Sequence, residues 1–424
     1  MTYGRPGHTW GPDGPDFARR WGPLAARYGD RSARRRVLSI DGGGIRGIVS
    51  LQILGRLEAQ LAEHYVAAGL LSDPADFRLS AYFDLIAGCS SGGIIAAGLS
   101  RGMAVAEIEH VFLNHGEEIF ARRPPTQWLE SLYAGGSVER LLKDRLGETG
   151  LRPEHMKTLL VLVAKNATTD SAWPVSSNPD AVYNDLDRDD CNLDIPLWAL
   201  VRASTAAPGY FPPEEVRLGD KSFLFVDGGT TGYNNPAALA ARMATEPAYC
   251  LGWTPSEDQL LVVSVGAGSQ ANLGASPSDE AVSLRGKLFE PLRLTIDTLG
   301  STVRGLFSQA AFDQDLTCRT QGRCAFGPPM DREVGDLVVE EGAPAPGPAR
   351  WFRYVRYDME LSHRGMEWLT GPERSYPLPD LDLTEMQELD SVEAAGDLKR
   401  LGQAIANRVD LAHLGPFVGE RIWL

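Results

Sequence analysis

Residues 36–61 read RVLSIDGGGIRGIVSLQILGRLEAQL, and this stretch decides the fold. Val37, Leu38 and Ile40 make a short, β-branched apolar run of the kind that forms a buried strand. The run stops at Asp41-Gly42-Gly43-Gly44. Ile48, Leu51, Leu54, Leu57 and Leu61 then recur at three- and four-residue spacing, which puts them on one face of a helix. Residues 83–93, FDLIAGCSSGG, repeat the arrangement: an apolar run, a glycine-bounded turn around Ser90, then the small-residue helix that begins near Ile94. Two strand–turn–helix units therefore carry glycine where strand meets helix.

Outward from these units, apolar runs predict strands at 159–164, 222–226 and 260–265, and periodicity predicts helices at 104–120, 138–146, 197–205 and 236–244. Alternation of this kind implies an α/β protein, a largely parallel sheet with helices on both faces. Functional groups in such sheets gather at the carboxyl ends of strands. Gly42, Ser90 and Asp227 each follow a predicted strand, so three distant segments can meet at one edge. Residues 1–35, rich in Gly, Pro and Arg, read as an N-terminal arm, 36–270 as the catalytic core and 271–424 as a C-terminal extension. Within the extension we expect a helix at 283–309, a strand at 351–359 and a helix at 391–408, with linkers or long loops at 266–278 and 341–349.

Composition narrows the partners. With 41 Lys and Arg against 56 Asp and Glu the net charge is −15, which opposes nucleic acid and any broad attraction to anionic lipid. The first residues hold no apolar stretch, and no run approaches the roughly 18 apolar residues of a spanning helix, so the expected location is cytoplasmic, with any membrane association peripheral and local. The helix expected at 283–309 offers Arg285, Lys287, Arg293 and Arg304 for such docking, although packing on the core with that side in water is the simpler role. Five cysteines lack paired spacing, so neither a disulfide framework nor a zinc site is indicated. Asp185–Asp190 imitates the start of a calcium loop but has Asp190 where glycine is needed and Pro196 where a bidentate glutamate belongs. No metal or cofactor is expected.

The chemistry lies in three motifs. Gly88-x-Ser90-x-Gly92 between strand and helix reads as a nucleophile elbow, a sharp turn that presents a serine hydroxyl. Asp41-Gly42-Gly43-Gly44-Ile45-Arg46-Gly47 supplies backbone N–H groups at a helix start, suited to a developing oxyanion; one such donor is typically worth about 10²–10³ in rate. Arg46 would anchor this loop through a carboxylate or contact a lipid phosphate. The loop also satisfies a dinucleotide fingerprint, but the required acidic residue should end a second strand where Leu57–Tyr65 reads as helix. Asp227-Gly228-Gly229 sets a carboxylate at a strand tip, as a general base for Ser90 or as a turn cap. His363 and His413 follow Asp227, so a Ser–Asp–His order stays available.

DGGGIRG, GCSSGG and VDGG in this order, with Leu197-Trp198, Arg202–Pro208 and Asn234-Asn235-Pro236 between and after them, resemble the patatin-like phospholipases over Val37 to Leu239. The resemblance implies a three-layer α/β/α fold, Ser90 as nucleophile, Asp227 as base without histidine, and an oxyanion hole from Gly42, Gly43 and Gly44. Cys89 stands where the family usually has threonine, and Ser91 where threonine is frequent. A lipid ester at a membrane surface is the implied substrate, with a transacylase on the same site, or a ligand-activated bacterial defence effector that degrades membrane phospholipid, as alternatives. The arm and the extension are large enough for a lid, a homo-oligomer contact or a small-molecule activator site.

Overall fold

The computed structural model describes residues 14, 16–119, 133, 135–268, 351–359 and 383–424, with isolated positions 361, 365, 366, 369 and 381. Eight strands build one sheet: β1 (Arg35–Ile40), β2 (Leu85–Cys89), β3 (Leu159–Asn166), β4 (Ser171–Ser176), β5 (Glu214–Leu218), β6 (Lys221–Asp227), β7 (Leu260–Val265) and β8 (Arg353–Tyr357). Their order is β5-β6-β3-β2-β1-β7-β8, with β4 paired to β3 off this path. β8, β7, β1, β2 and β3 run parallel. β4, β5 and β6 pair antiparallel.

Helices cover the sheet: α1 (Phe17–Trp21), α2 (Ala25–Tyr28), α3 (Gly47–Ala67), α4 (Leu79–Tyr82), α5 (Ser91–Ser100), α6 (Val105–Ile119), α7 (Gly135–Leu146), α8 (Leu197–Ser204), α9 (Ala237–Thr245), α10 (Leu383–Gln387) and α11 (Ala395–Ala406). Every residue of β1, β2 and β7 is buried, which is why these strands read as continuous apolar runs rather than alternating ones. In α3 the predicted stripe of Ile48, Leu51, Leu54, Leu57 and Leu61 is buried, and α11 and α6 pack beside it. Burying one such aliphatic side chain is worth about 1.5–3 kcal/mol, so the stripe fixes how α3 sits.

Two expectations need correction, and two strands went unread. From residue 16 onward the N-terminal segment packs on the core rather than forming an arm: Phe17, Trp21, Leu24 and Tyr28 are buried, and Arg27 reaches the Asp84 carboxylate at 3.0 Å. The boundary at 270 cuts the sheet, because β8 pairs with β7 from Arg353 to Tyr357. The antiparallel β4 and β5 had no counterpart in the periodicity. The helix expected at 283–309 and the loops at 341–349 lie outside the described residues.

Register explains how residues 137 apart in sequence meet. One edge of β3 pairs with β2 up to Val163, opposite Cys89. The chain then leaves the sheet at Ser90, and β6 takes the next position on β3, with Asp227 opposite Ala164. β4 occupies the other edge of β3 through the same residues. The end of β2 and the tip of β6 thus lie end to end along one strand.

Candidate active site

Ser90 sits at φ 52°, ψ −128°, in the sparsely populated backbone region that non-glycine residues occupy at a cost of about 1–3 kcal/mol. Neighbours hold it there. Its N–H donates to Ser204 Oγ at 3.0 Å, and Ser204 Oγ donates onward to the Val163 carbonyl at 2.6 Å. Gly92 allows the turn to close, since a Cβ there would lie 2.4 Å from the backbone oxygens of Ile40 and Asp41. The elbow therefore rests directly on the glycine loop, and the N-terminus of α5 points its partial positive charge at the serine.

The Ser90 hydroxyl donates to Asp227 Oδ2 at 2.6 Å, and Asp227 Oδ1 accepts the Gly229 N–H at 2.7 Å. Asp227 is 0% exposed and Ser90 6%, so the hydroxyl is reachable while the carboxylate touches no solvent. Burial pushes Asp227 up to about 7, against the opposing pull of the Ser90 and Gly229 hydrogen bonds and of the Arg202 charge. Such a group can both take and return a proton near neutral pH. Gly228 and Gly229 follow as a short 3₁₀ turn that Asp227 caps, so the base and the cap readings of this aspartate describe one geometry.

The glycine loop divides its donors. Gly42 N–H is held by the Asn234 carbonyl at 3.1 Å, while Asn234 Nδ2 donates to the Gly42 carbonyl at 3.1 Å. Gly42 N–H is thus already engaged by a fixed backbone acceptor, which makes it a less available oxyanion donor than expected. Gly43 N–H meets the Ser91 hydroxyl at 3.0 Å, a partner that can rotate away. Gly44, held at φ 60°, carries an N–H that meets no acceptor among the described residues. Asp41 pairs with Arg356 of β8, 2.7 Å from Nη2. Arg46 anchors the loop through carbonyls, donating to Gly43 at 3.2 Å and Gly268 at 3.1 Å. Gly47 begins α3 against Phe112, and Gly88 lies at the end of β2, backed by Gly92.

An apolar pocket opens beside Ser90, Ser91 and Gly44 and runs between α5, α6 and α7, where Ile94, Met103, Ile108, Phe112 and Leu142 line it. Leu389, after α10, supplies a further wall, and its carbonyl accepts the Ile45 N–H at 2.8 Å. No imidazole stands between Ser90 and Asp227. His413 lies with its Nδ1 2.9 Å from the Tyr357 hydroxyl, and His363 lies outside the described residues. Among the described residues there is no cluster of three His, Cys, Asp or Glu suited to a metal, and no helix long and apolar enough to cross a membrane.

Sequence reasoning left Ser204, Asn234 and Arg202 without roles, although all three lie in quoted motif segments. Arg356 carried no signal at all, since a charged residue in a short strand looks like an exposed one.

Residues 38–241 match the family described as patatin-like phospholipase. Patatin-17 from Solanum cardiophyllum is 33% identical over 251 residues, 55% of this chain and 60% of that protein. Patatin-1-Kuras 2 from Solanum tuberosum is 30% identical over 270 residues, 59% of this chain and 67% of that one. The chain thus spans about 60 to 67% of the length of these curated relatives. A solved structure, VipD from Legionella pneumophila, covers 86% of this chain and 66% of its own at 13% identity and a TM-score of 0.30, a likeness too weak to bear on the reading. By its motifs, its matched domain and its patatin relatives, this chain belongs to the patatin-like phospholipase family.

Proposed function

We propose that the protein is a lipid acyl hydrolase of the phospholipase A or lysophospholipase type, working at a membrane surface from the cytoplasm through a Ser90–Asp227 dyad. The observation that carries this is the 2.6 Å hydrogen bond from a strained, pocket-facing Ser90 to a fully buried Asp227. Ser90 Oγ attacks the ester carbonyl as its proton passes to Asp227. The tetrahedral oxyanion turns towards Gly44 N–H and, once Ser91 rotates, Gly43 N–H. Collapse breaks the ester C–O bond, and Asp227 returns the proton to the departing alcohol. Water then gives its proton to Asp227 and its oxygen to the acyl carbon, Ser90 is reprotonated, and a fatty acid leaves. The apolar pocket between α5, α6 and α7 is suited to the acyl chain.

The test is fatty acid release from mixed phospholipid vesicles by wild type, Ser90→Ala and Asp227→Ala, with and without chelator. Loss of activity in both variants, with indifference to chelator, is the expected result; activity that survives Ser90→Ala excludes the mechanism.

A further inference from the structure

The glycine loop is held from outside the matched domain. Arg356 on β8 is buried and reaches Asp41 with both terminal nitrogens, Nη2 to Oδ2 at 2.7 Å and Nη1 to Oδ1 at 3.3 Å. Nη1 also donates to Ser264 Oγ on β7 at 2.6 Å, and Nη2 to Asp358 Oδ2 at 2.6 Å. Asp358 Oδ1 accepts the Gly268 N–H at 3.0 Å. The Gly268 carbonyl accepts from Arg46 Nη1 at 3.1 Å, and Arg46 Nε returns to the Gly43 carbonyl at 3.2 Å. These contacts form a closed ring that starts at Asp41, passes through three segments and ends at Gly43, enclosing the loop that carries the candidate donors.

A buried ion pair is weak evidence for stability, because desolvation cancels much of the attraction. What a two-pronged guanidinium–carboxylate pair adds is direction. Direction matters here on both sides of Asp41. Its carboxylate sits in the ring, while its carbonyl lies where a Cβ on Gly92 would be 2.4 Å away, so the same residue touches the elbow that presents Ser90. A displacement of Asp41 changes the placement of Gly43 and Gly44 relative to the serine.

We propose that Arg356 is a positioning residue for the reaction at Ser90, setting the Gly43–Gly44 donors against the developing oxyanion through its clamp on Asp41. The proposal rests on the reading of Ser90 as the acylated nucleophile. Misplacement of a reacting group by about 1 Å can lower rates about 10²-fold, which sets the scale for breaking the clamp.

The experiment measures kcat and KM for p-nitrophenyl butyrate with wild type, Arg356→Lys, Asp358→Asn and Asp84→Asn, each expressed per site labelled to completion by a fluorophosphonate. Asp84 belongs to a second buried charge cluster, at the opposite end of the strands, and serves as the control for lost buried charge. Arg356→Lys keeps the charge but not the fork; kcat per labelled site is expected to fall about 10- to 100-fold with KM within about twofold. Asp358→Asn is expected to lower kcat less, and Asp84→Asn to lower the melting temperature with kcat per site unchanged. Unchanged kcat per site in Arg356→Lys overturns the proposal. So does a loss carried by KM, or the failure of both Arg356→Lys and Asp358→Asn to fold, which would make the ring a folding element. An inactive wild type, or an active Ser90→Ala, instead overturns the underlying reading of the site.

Discussion

Two buried charge clusters sit at opposite ends of the central strands, and they are built to opposite balances. At the amino-terminal end, Asp84 precedes β2 and faces three arginines: Arg27 Nε at 3.0 Å, Arg36 Nε at 3.4 Å and Arg35 Nη1 at 3.8 Å. Burial works to raise Asp84, but Arg36, Arg27 and Arg35 overcome it and hold the carboxyl below its ordinary value. At the carboxyl-terminal end, Asp41 and Asp358 share Arg356, and no arginine among the described residues is bonded to Asp227. Burial there pushes Asp227 up to about 7 and Asp41 upward against Arg356. Surplus positive charge keeps Asp84 ionised to lower pH than an ordinary carboxyl. At the other end burial alone raises Asp227, which leaves that group able to exchange a proton near neutral pH. The same sheet thus carries a structural edge and, on the proposed function, a chemical edge.

The contrast can be broken most severely at the chemical edge. Ser90→Ala should reduce ester hydrolysis by about 10⁵-fold or more, to background, in a chromogenic ester assay. Asp227→Asn keeps the shape and removes the base, with an expected loss of about 10³- to 10⁴-fold in kcat. At the structural edge, Asp84→Ala leaves buried arginines uncompensated and should cost about 3–5 kcal/mol in denaturant unfolding, with kcat of the folded fraction unchanged.

A fourth comparison uses pH. Because Asp227 is raised from 3.8 to about 7, its contribution to stability is complete below pH 3.8 and is lost as pH rises through about 7. Asp227→Asn should therefore unfold at higher denaturant than wild type at pH 8.5, by on the order of a few kcal/mol, and show no such gain at pH 4. Asp84 has the reverse sign: its contribution is present above pH 3.8 and is lost as pH falls through its lowered value. The smallest expected effect is in the pocket, where Ile94→Phe should shift preference towards shorter acyl esters by about tenfold in kcat/KM.

How much of this was legible in the sequence follows from what each signal measures. The strand–turn–helix units were legible because the buried parallel strands carry near-continuous apolar runs, such as Val37–Ile40, and α3 and α11 keep one apolar face. The segments that bring the candidate residues Ser90, Asp227 and the glycine loop together stood out because each is a short, unusual local sequence. β4 was hidden by Pro174, which speaks against a central strand and is tolerated because β4 lies along one edge of β3. In β5 only Val216 and Leu218 are buried, too few for alternation to register. The helices at 17–21 and 25–28 are shorter than any periodicity window, yet they bring Trp21, Tyr28 and Arg27 into the core. The capture of Gly42 N–H by Asn234 and the grip of Arg356 on Asp41 join residues 192 and 315 apart, and no local pattern encodes such partners.

The most direct test of the account is a peptide map of enzyme quenched during turnover of a p-nitrophenyl acyl ester. The account predicts one acyl group per chain, attached at Ser90, which appears in the first turnover and is absent from Ser90→Ala. Turnover with no acylated peptide, or with the acyl group on another residue such as Cys89, would contradict it.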